Sequence, residues 1–182
     1  MAPTIEAARL VLRPWRDADV EPWVAMGADP RVMEFFASLP TREQSERSAA
    51  RMRTGLERDG YGWWVAEHKE DQAFAGVIAL MDVPFEAHFT PALEIGWRLA
   101  PTYWGRGLAT EGARAVSRHA LETLKLPGLV SFTVPANLRS RRVMENIGMV
   151  HDPAGDFDHP RVSEGHPLRR HVLYRLQAQS SV

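Results

Sequence analysis

The stretch L-E-I-G-W-R-L-A-P-T-Y-W-G-R-G-L-A-T-E-G-A-R, residues 93–114, decides how this chain is read, because it runs from a strand into a helix through a glycine-containing turn. Leu93, Ile95, Trp97 and Leu99 alternate with Glu94, Gly96, Arg98 and Ala100, which is the period of a strand, and Pro101 withholds the N–H that would continue the ladder. From Leu108 to Leu124, the apolar and small residues Leu108, Ala109, Gly112, Ala113, Val116, Ala120, Leu121 and Leu124 recur close to the spacing of one helical face. Between them, Gly105 and Gly107 open backbone angles closed to bulkier residues and leave no side chain between the turn's N–H groups and an approaching oxygen. The first N–H groups of a helix lack internal partners and sit at the positive end of its dipole, so this turn suits an anion such as a pyrophosphate. Arg106 is a candidate for a charge-assisted contact to it. A glycine pair also serves plain tight turns, so context has to decide.

Two nucleotide signatures do not fit. The dinucleotide fingerprint needs a third glycine where this chain has Thr110, and the P-loop needs Gly-Lys-Ser or Gly-Lys-Thr, which is absent. The segment Trp104, Gly105, Arg106, Gly107, Leu108, Ala109 instead resembles the acyl-CoA pyrophosphate motif of the GNAT N-acetyltransferase superfamily, whose pattern is Gln or Arg, two residues, Gly, one residue, then Gly or Ala. Trp104 departs from its first position. W-G-R-G-L-A-T-E before a helix looks like the branch related to ribosomal-protein N-terminal acetyltransferases. The opening R-L-V-L-R-P-W with Asp17 and Asp19, the stretch N-L-R-S-R-R-V-M-E-N-I-G-M from Asn137 to Met149, and the closing H-V-L-Y-R-L extend that similarity over most of the chain. The resemblance implies acetyl-CoA as co-substrate, an amine acceptor, and central parallel strands splayed around the pantetheine arm.

Composition sets bounds on this reading. With 182 residues, 45% of them hydrophobic, the chain can bury one substantial core, and a single N-acetyltransferase domain over 1–182 is expected. No run is apolar enough for a membrane span and the N-terminus lacks signal-peptide regions, so a cytoplasmic protein is expected. Zero cysteines exclude disulfides, a thiolate nucleophile and Cys-ligated zinc. A net charge of −1 argues against a general nucleic-acid binder, although Arg139, Arg141 and Arg142 cluster beside the expected cofactor.

The order of elements predicts an α+β (α/β) fold with a mixed central sheet of six to seven strands flanked by helices. A first strand runs near Arg9 to Pro14, and Asp17 reads as the N-cap of a short helix carrying Val20, Trp23, Val24 and Met26 inward. Thr41 and Gln44 form a capping box, and Gly60 ends that helix. Strands over 62–68 and 73–83 make a hairpin, and strand 93–100, helix 107–124, strand 129–135 and helix 138–147 make a right-handed crossover between parallel strands.

Acetyl transfer from a thioester to an amine needs a base, an oxyanion donor and a proton for the thiolate. Glu94, on a central strand where burial raises a carboxyl pKa, is the candidate base; its alternative is pairing with Arg98 on the same strand face. Gly96 fits a strand bulge, and the backbone between Trp97 and Leu99 offers an N–H to the thioester oxygen. In the family a Tyr often donates the proton, and the matching position here is Met144, which cannot. Ser140 or a water is left for that role. Asn137 and Ser140 open the last helix as caps or cofactor contacts, and Arg142 is placed within reach of the CoA phosphates or in solvent.

Residues 156–171 gather three histidines and two aspartates at spacings that match no standard zinc motif, so they read as the loop lining an acceptor pocket, with Asp158, His159 and His166 as contacts. Of Trp63 and Trp64, which face opposite sides of a strand, one belongs to the core; Trp64 is assigned to the acceptor groove. The acceptor stays open between a protein N-terminus and a small-molecule amine. A non-catalytic acyl-CoA sensor, motivated by Met144, is the alternative function, and a homodimer through the C-terminal strand also stays open.

Overall fold

The computed structural model describes residues 3–178. Its strands are β1 (Ile5–Glu6), β2 (Leu10–Arg13), β3 (Trp63–His68), β4 (Ala73–Asp82), β5 (Leu93–Leu99), β6 (Gly128–Thr133), β7 (Val150–His151), β8 (Phe157–Asp158) and β9 (Arg170–Gln177). Its helices are α1 (Val20–Ala28), α2 (Arg42–Asp59), α3 (Leu108–Arg118), which continues through a π-helical turn at His119–Thr123, and α4 (Leu138–Asn146). The expected α+β fold is present as one mixed sheet in the order β1-β2-β3-β4-β5-β6-β9-β7, with β8 beside β9. Six of its strands have four or more residues, and the two-residue β1, β7 and β8 are additions too short to show a period.

Both signals that bound α2 are realised. Thr41 Oγ1 accepts from the Gln44 N–H at 3.2 Å, Gln44 Oε1 accepts from the Thr41 N–H at 2.8 Å, and Gly60 closes the helix at φ 75°. Asp17 does not cap the first helix. Its exposed carboxylate pairs with Arg53 at 2.7 Å, and the neighbouring Asp19 takes the Arg16 N–H at 2.6 Å. The reason lies in the buried Arg13, whose two terminal nitrogens grip Asp19 at 2.8 Å each while its Nε reaches Glu67 at 2.6 Å. A buried guanidinium needs that counter-charge, and the need draws Asp19 inward.

Every strand pair is antiparallel except β5 with β6, which touch in register only at Glu94↔Val130. Beyond that point they separate, as the family resemblance implied. Ala79 faces Gly96 in an unbroken β4–β5 register, so the expected bulge at Gly96 is absent; a register shift lies instead between β3 and β4, where Ala66 and Glu67 face Gly76 and Phe74 and leave Ala75 of β4 as the extra residue. One face of the sheet, carrying Trp64, Ile78, Leu80, Ile95 and Leu99, packs under α3 and α4 with Leu108, Ala113 and Met144. The opposite face, with Val65 and Val77, packs against Trp15, Trp23 and Met26 around α1. Facing residues of paired strands share a side, so Glu94, Gly96, Arg98, Val130 and Phe132 all belong to this second face.

Candidate active site

A cavity of about 780 Å³ passes through the sheet where β5 and β6 part. One mouth is lined by Trp104, Gly105, Gly107, Leu108, Ala109 and Thr110, and the other by Phe35, Phe36, Trp63, His159 and His171. Glu94, Gly96, Trp97, Arg98 and Leu99 line the passage from β5, and Ser131, Phe132 and Thr133 from β6.

The turn at the first mouth is built to expose backbone. Gly105 and Gly107 take φ 71° and 75°, and a Cβ placed on Gly105 would meet nothing within 4 Å. Gly107 precedes α3 without any side-chain cap, so the N–H groups of Leu108, Ala109 and Thr110 begin the helix unpartnered. The turn is pinned from four sides: Trp104 Nε1 donates to the Leu99 carbonyl at 2.7 Å, Tyr103 Oη to Asp71 at 2.9 Å, Arg9 Nη1 to the Arg106 carbonyl at 2.9 Å, and Arg9 Nε to Glu111 at 2.8 Å. The Arg106 side chain does not reach the cavity. It leans over Tyr103 toward Glu70, 3.9 Å away, because the two left-handed glycines turn it outward and leave only its backbone at the site.

Strand geometry fixes what β5 offers. The Ala100 N–H bonds to the Ala75 carbonyl at 2.9 Å, so even-numbered backbone groups of β5 face β4. Those of Trp97 and Leu99 therefore face the gap, where β6 is out of reach. Across it, Asn137 caps α4 by accepting from the Ser140 N–H at 3.2 Å, and its amide donates to Thr133 Oγ1 and Ser140 Oγ at 3.0 and 3.1 Å. Ser140 Oγ thus keeps its own proton for a partner in the cavity. Arg142 lines the same wall from an exposed position, and Arg139 stacks 4.5 Å over Trp104 while pairing with Glu34 at 2.7 Å. Arg141 turns away to Tyr174. Met144 is buried in the floor beneath.

Glu94 and Arg98 do not pair with each other. Burial alone pushes the Glu94 carboxyl up to about 8, and burial alone draws the Arg98 guanidinium down to about 10. A Cβ on Gly96 would lie 4.0 Å from Glu94 Oε1, so the missing side chain keeps the carboxyl open to the passage.

At the acceptor mouth the structure brings together His159 and His171, 5.0 Å apart between ring centroids, with Phe85 and Phe132 around them. Burial, then the neighbouring His171 and Arg161, draws His159 down to about 4, and burial lowers His171. His171 Nδ1 lies 3.1 Å from the Arg169 carbonyl, which only accepts, so Nδ1 carries the proton and Nε2 is an acceptor.

Three expected acceptor contacts lie elsewhere. Trp64 is fully buried, with Nε1 donating to the Pro3 carbonyl at 2.8 Å, and Trp63 lines the cavity in its place. Asp158 points to solvent and pairs with Arg169 and Arg170, which compete for it from the base of β9. His166 is held in its own turn, where Nδ1 accepts from the Leu168 N–H at 3.1 Å. Sequence reasoning missed His171, Val162 and Leu168, which pack inward from the same loop, and Ser131. It placed Arg98 only as a partner for Glu94, although the alternation of β5 already set both residues on one face. Among the described residues no cluster of His, Asp and Glu is arranged to hold a metal ion, and no helix is long and apolar enough to cross a membrane.

Residues 9–150 match the family described as acetyltransferase (GNAT) domain. The chain is 34% identical, over 98% of its length and 81% of the relative's, to FsC-acetyl coenzyme A-N(2)-transacetylase of Aspergillus fumigatus. An acetyltransferase from Agrobacterium tumefaciens superposes with a TM-score of 0.77 at 28% identity, covering 97% of this chain and 95% of that one. Mycobacterium smegmatis RimJ in complex with CoA-disulfide shares the fold with a TM-score of 0.77 at 20% identity, covering 97% and 88%.

Proposed function

This chain belongs to the GNAT acetyltransferase family and acts with acetyl-CoA, and from that premise we propose that it transfers the acetyl group directly to a small-molecule primary amine, with Glu94 as general base. The observation that carries this reading is the single cavity through the sheet, with a pyrophosphate-type turn at one mouth and an aromatic pocket at the other. Two substrates entering from opposite faces meet at Gly96, which suits a ternary complex, and the absence of cysteine excludes a cysteinyl acyl-enzyme.

The phosphates of CoA lie on the N–H groups of Gly105 to Thr110, with Arg142 beside them, and the pantetheine arm fills the gap between β5 and β6. The Trp97 or Leu99 N–H binds the thioester oxygen as negative charge develops on it. The amine nitrogen attacks the carbonyl carbon and a C–N bond forms. Ionised Glu94 takes the ammonium proton, directly or through a water, and the C–S bond breaks. Ser140 Oγ–H hydrogen-bonds the departing thiolate, whose pKa, like that of other thiols, is about 8.5 and demands no strong acid. The aromatic enclosure favours a compact acceptor over a polypeptide.

The test is release of free thiol from acetyl-CoA against amino acids, polyamines, aminoglycosides and N-terminal peptides. Turnover with small amines and not with peptides is the expected result. Turnover confined to peptides overturns the acceptor assignment, and thiol release with none of them overturns the proposal as a whole.

A further inference from the structure

Arg98 is the feature of the cavity that the transfer reaction does not use. Its guanidinium is held between two rings, 5.0 Å from the centroid of Trp23 and 4.2 Å from that of Phe36, and it lines the cavity on the acceptor face. The rings fix its position but accept none of its five N–H donors. No carboxylate, carbonyl or hydroxyl among the described residues bonds the half-buried Arg98, which contrasts with the buried Arg13, gripped by Asp19 and Glu67. The charged neighbours at this mouth are already engaged: Arg31 pairs with Asp29 at 2.6 Å and Glu34 with Arg139 at 2.7 Å. Across the pocket, burial draws His159 down to about 4 and lowers His171 as well. A partly desolvated cation held between two rings without a counter-charge is a ready partner for an anion entering the cavity. Arg98 shares its strand face with Glu94, four residues away, and Gly96 between them has no side chain. The two groups therefore bracket the point of transfer along about 13 Å of strand.

We propose that Arg98 is an acceptor-binding residue that reads a carboxylate, so that the substrate is an amine carrying its own carboxylate, of the amino-acid class. This assignment rests on the acetyltransferase reading above and narrows it. The guanidinium forms a paired, charge-assisted contact with the carboxylate, while the amine of the same molecule points toward Glu94 and the thioester. Amines without an anionic group leave the half-buried Arg98 unmatched, so the site discriminates against polyamines and aminoglycosides.

Two measurements test it. In the first, α-amino acids and ω-amino acids of two to six carbons are each compared with their carboxamides as acceptors, for the wild-type chain, Arg98→Gln and Arg98→Lys. In the second, binding of the matching N-acetyl amino acids and N-acetyl carboxamides to the CoA complex is followed by calorimetry, which needs no turnover. The wild type is expected to prefer the acid over its carboxamide by about tenfold or more in KM and in product affinity, the scale of one charge-assisted pair. Arg98→Gln loses that preference, Arg98→Lys keeps part of it, and both retain acetyl-CoA affinity, which also reports that they fold. Equal use and equal binding of acid and carboxamide by the wild type, or a preference that survives in Arg98→Gln, overturns the assignment. Thiol release that is indifferent to the carboxylate removes Arg98 from the acceptor site and leaves the acetyltransferase reading intact. Absence of any thiol release overturns that reading instead, and the binding arm then decides Arg98 by itself.

Discussion

At the scale of single residues, the proposed base sets two opposite pH dependences. Glu94 holds its proton in the folded chain up to about pH 8, against an ordinary value near 4.5. The rate with a neutral-amine pool held constant is therefore expected to rise about tenfold per pH unit below 8 and to level above it. Glu94→Gln should lower kcat by about a hundredfold or more at pH 8, abolish that rise, and leave CoA affinity unchanged; a wild-type profile in the variant excludes Glu94 as the base. Stability runs the other way. Between pH 4.5 and 8 the folded chain binds a proton that the unfolded chain has lost, so this residue costs stability as pH rises. The same variant should melt higher than wild type at pH 9 and equal to it at pH 4. The two adjacent tryptophans separate in the same manner. Trp63→Ala is expected to raise the acceptor KM with little loss of Tm, and Trp64→Ala to destabilise by about 3–5 kcal/mol, because only Trp64 is fully buried. A sequence shows that neighbours on a strand face opposite ways, but not which side is cavity. That depended on loops folding over Trp63, and the same blindness placed Asp158 and His166 in the pocket and overlooked His171.

Elements were far more legible than contacts. The α2 capping box and its terminal glycine, the β3–β4 hairpin and the β5–turn–α3 unit are each written in local residues, and each appears within a residue or two of its expected bounds. The register of β5 was not local, since it depends on where β4 lies, and so the bulge assigned to Gly96 did not survive. The β5–α3 turn carries a prediction of its own. Gly107→Glu places a Cβ at φ 75°, where L-residues are strained, and a negative charge where a pyrophosphate is proposed to bind. Acetyl-CoA affinity measured by calorimetry is expected to fall by about a hundredfold or more, while the free energy of unfolding drops only by the strain of one residue, about 1–2 kcal/mol. Retention of affinity would remove the turn from the cofactor site.

Across the whole molecule, α3 and α4 cover one face and α1 with the 156–171 loop guards the other, so in the proposed reaction the acyl donor and the amine reach the centre by separate doors. The sequence foretold the two families of elements; it did not foretell that the cavity would connect them, because a hole is made by what fails to pair. That failure has its own consequence. With one register contact between β5 and β6, the sheet of the free protein is two leaves, β1–β5 and β6–β9, stitched at a single point and clasped by α3 and α4. In the proposed placement, a pantetheine arm lying between them with its amides facing the unpaired N–H groups of Trp97 and Leu99 would act as a borrowed strand. Hydrogen exchange at Trp97 and Leu99 should then slow on CoA binding while the β4-facing amides of Gly96 and Arg98 change little. On that proposed placement the substrate becomes part of the architecture that recognises it: each catalytic cycle would complete the sheet and, on release of CoA, open it again.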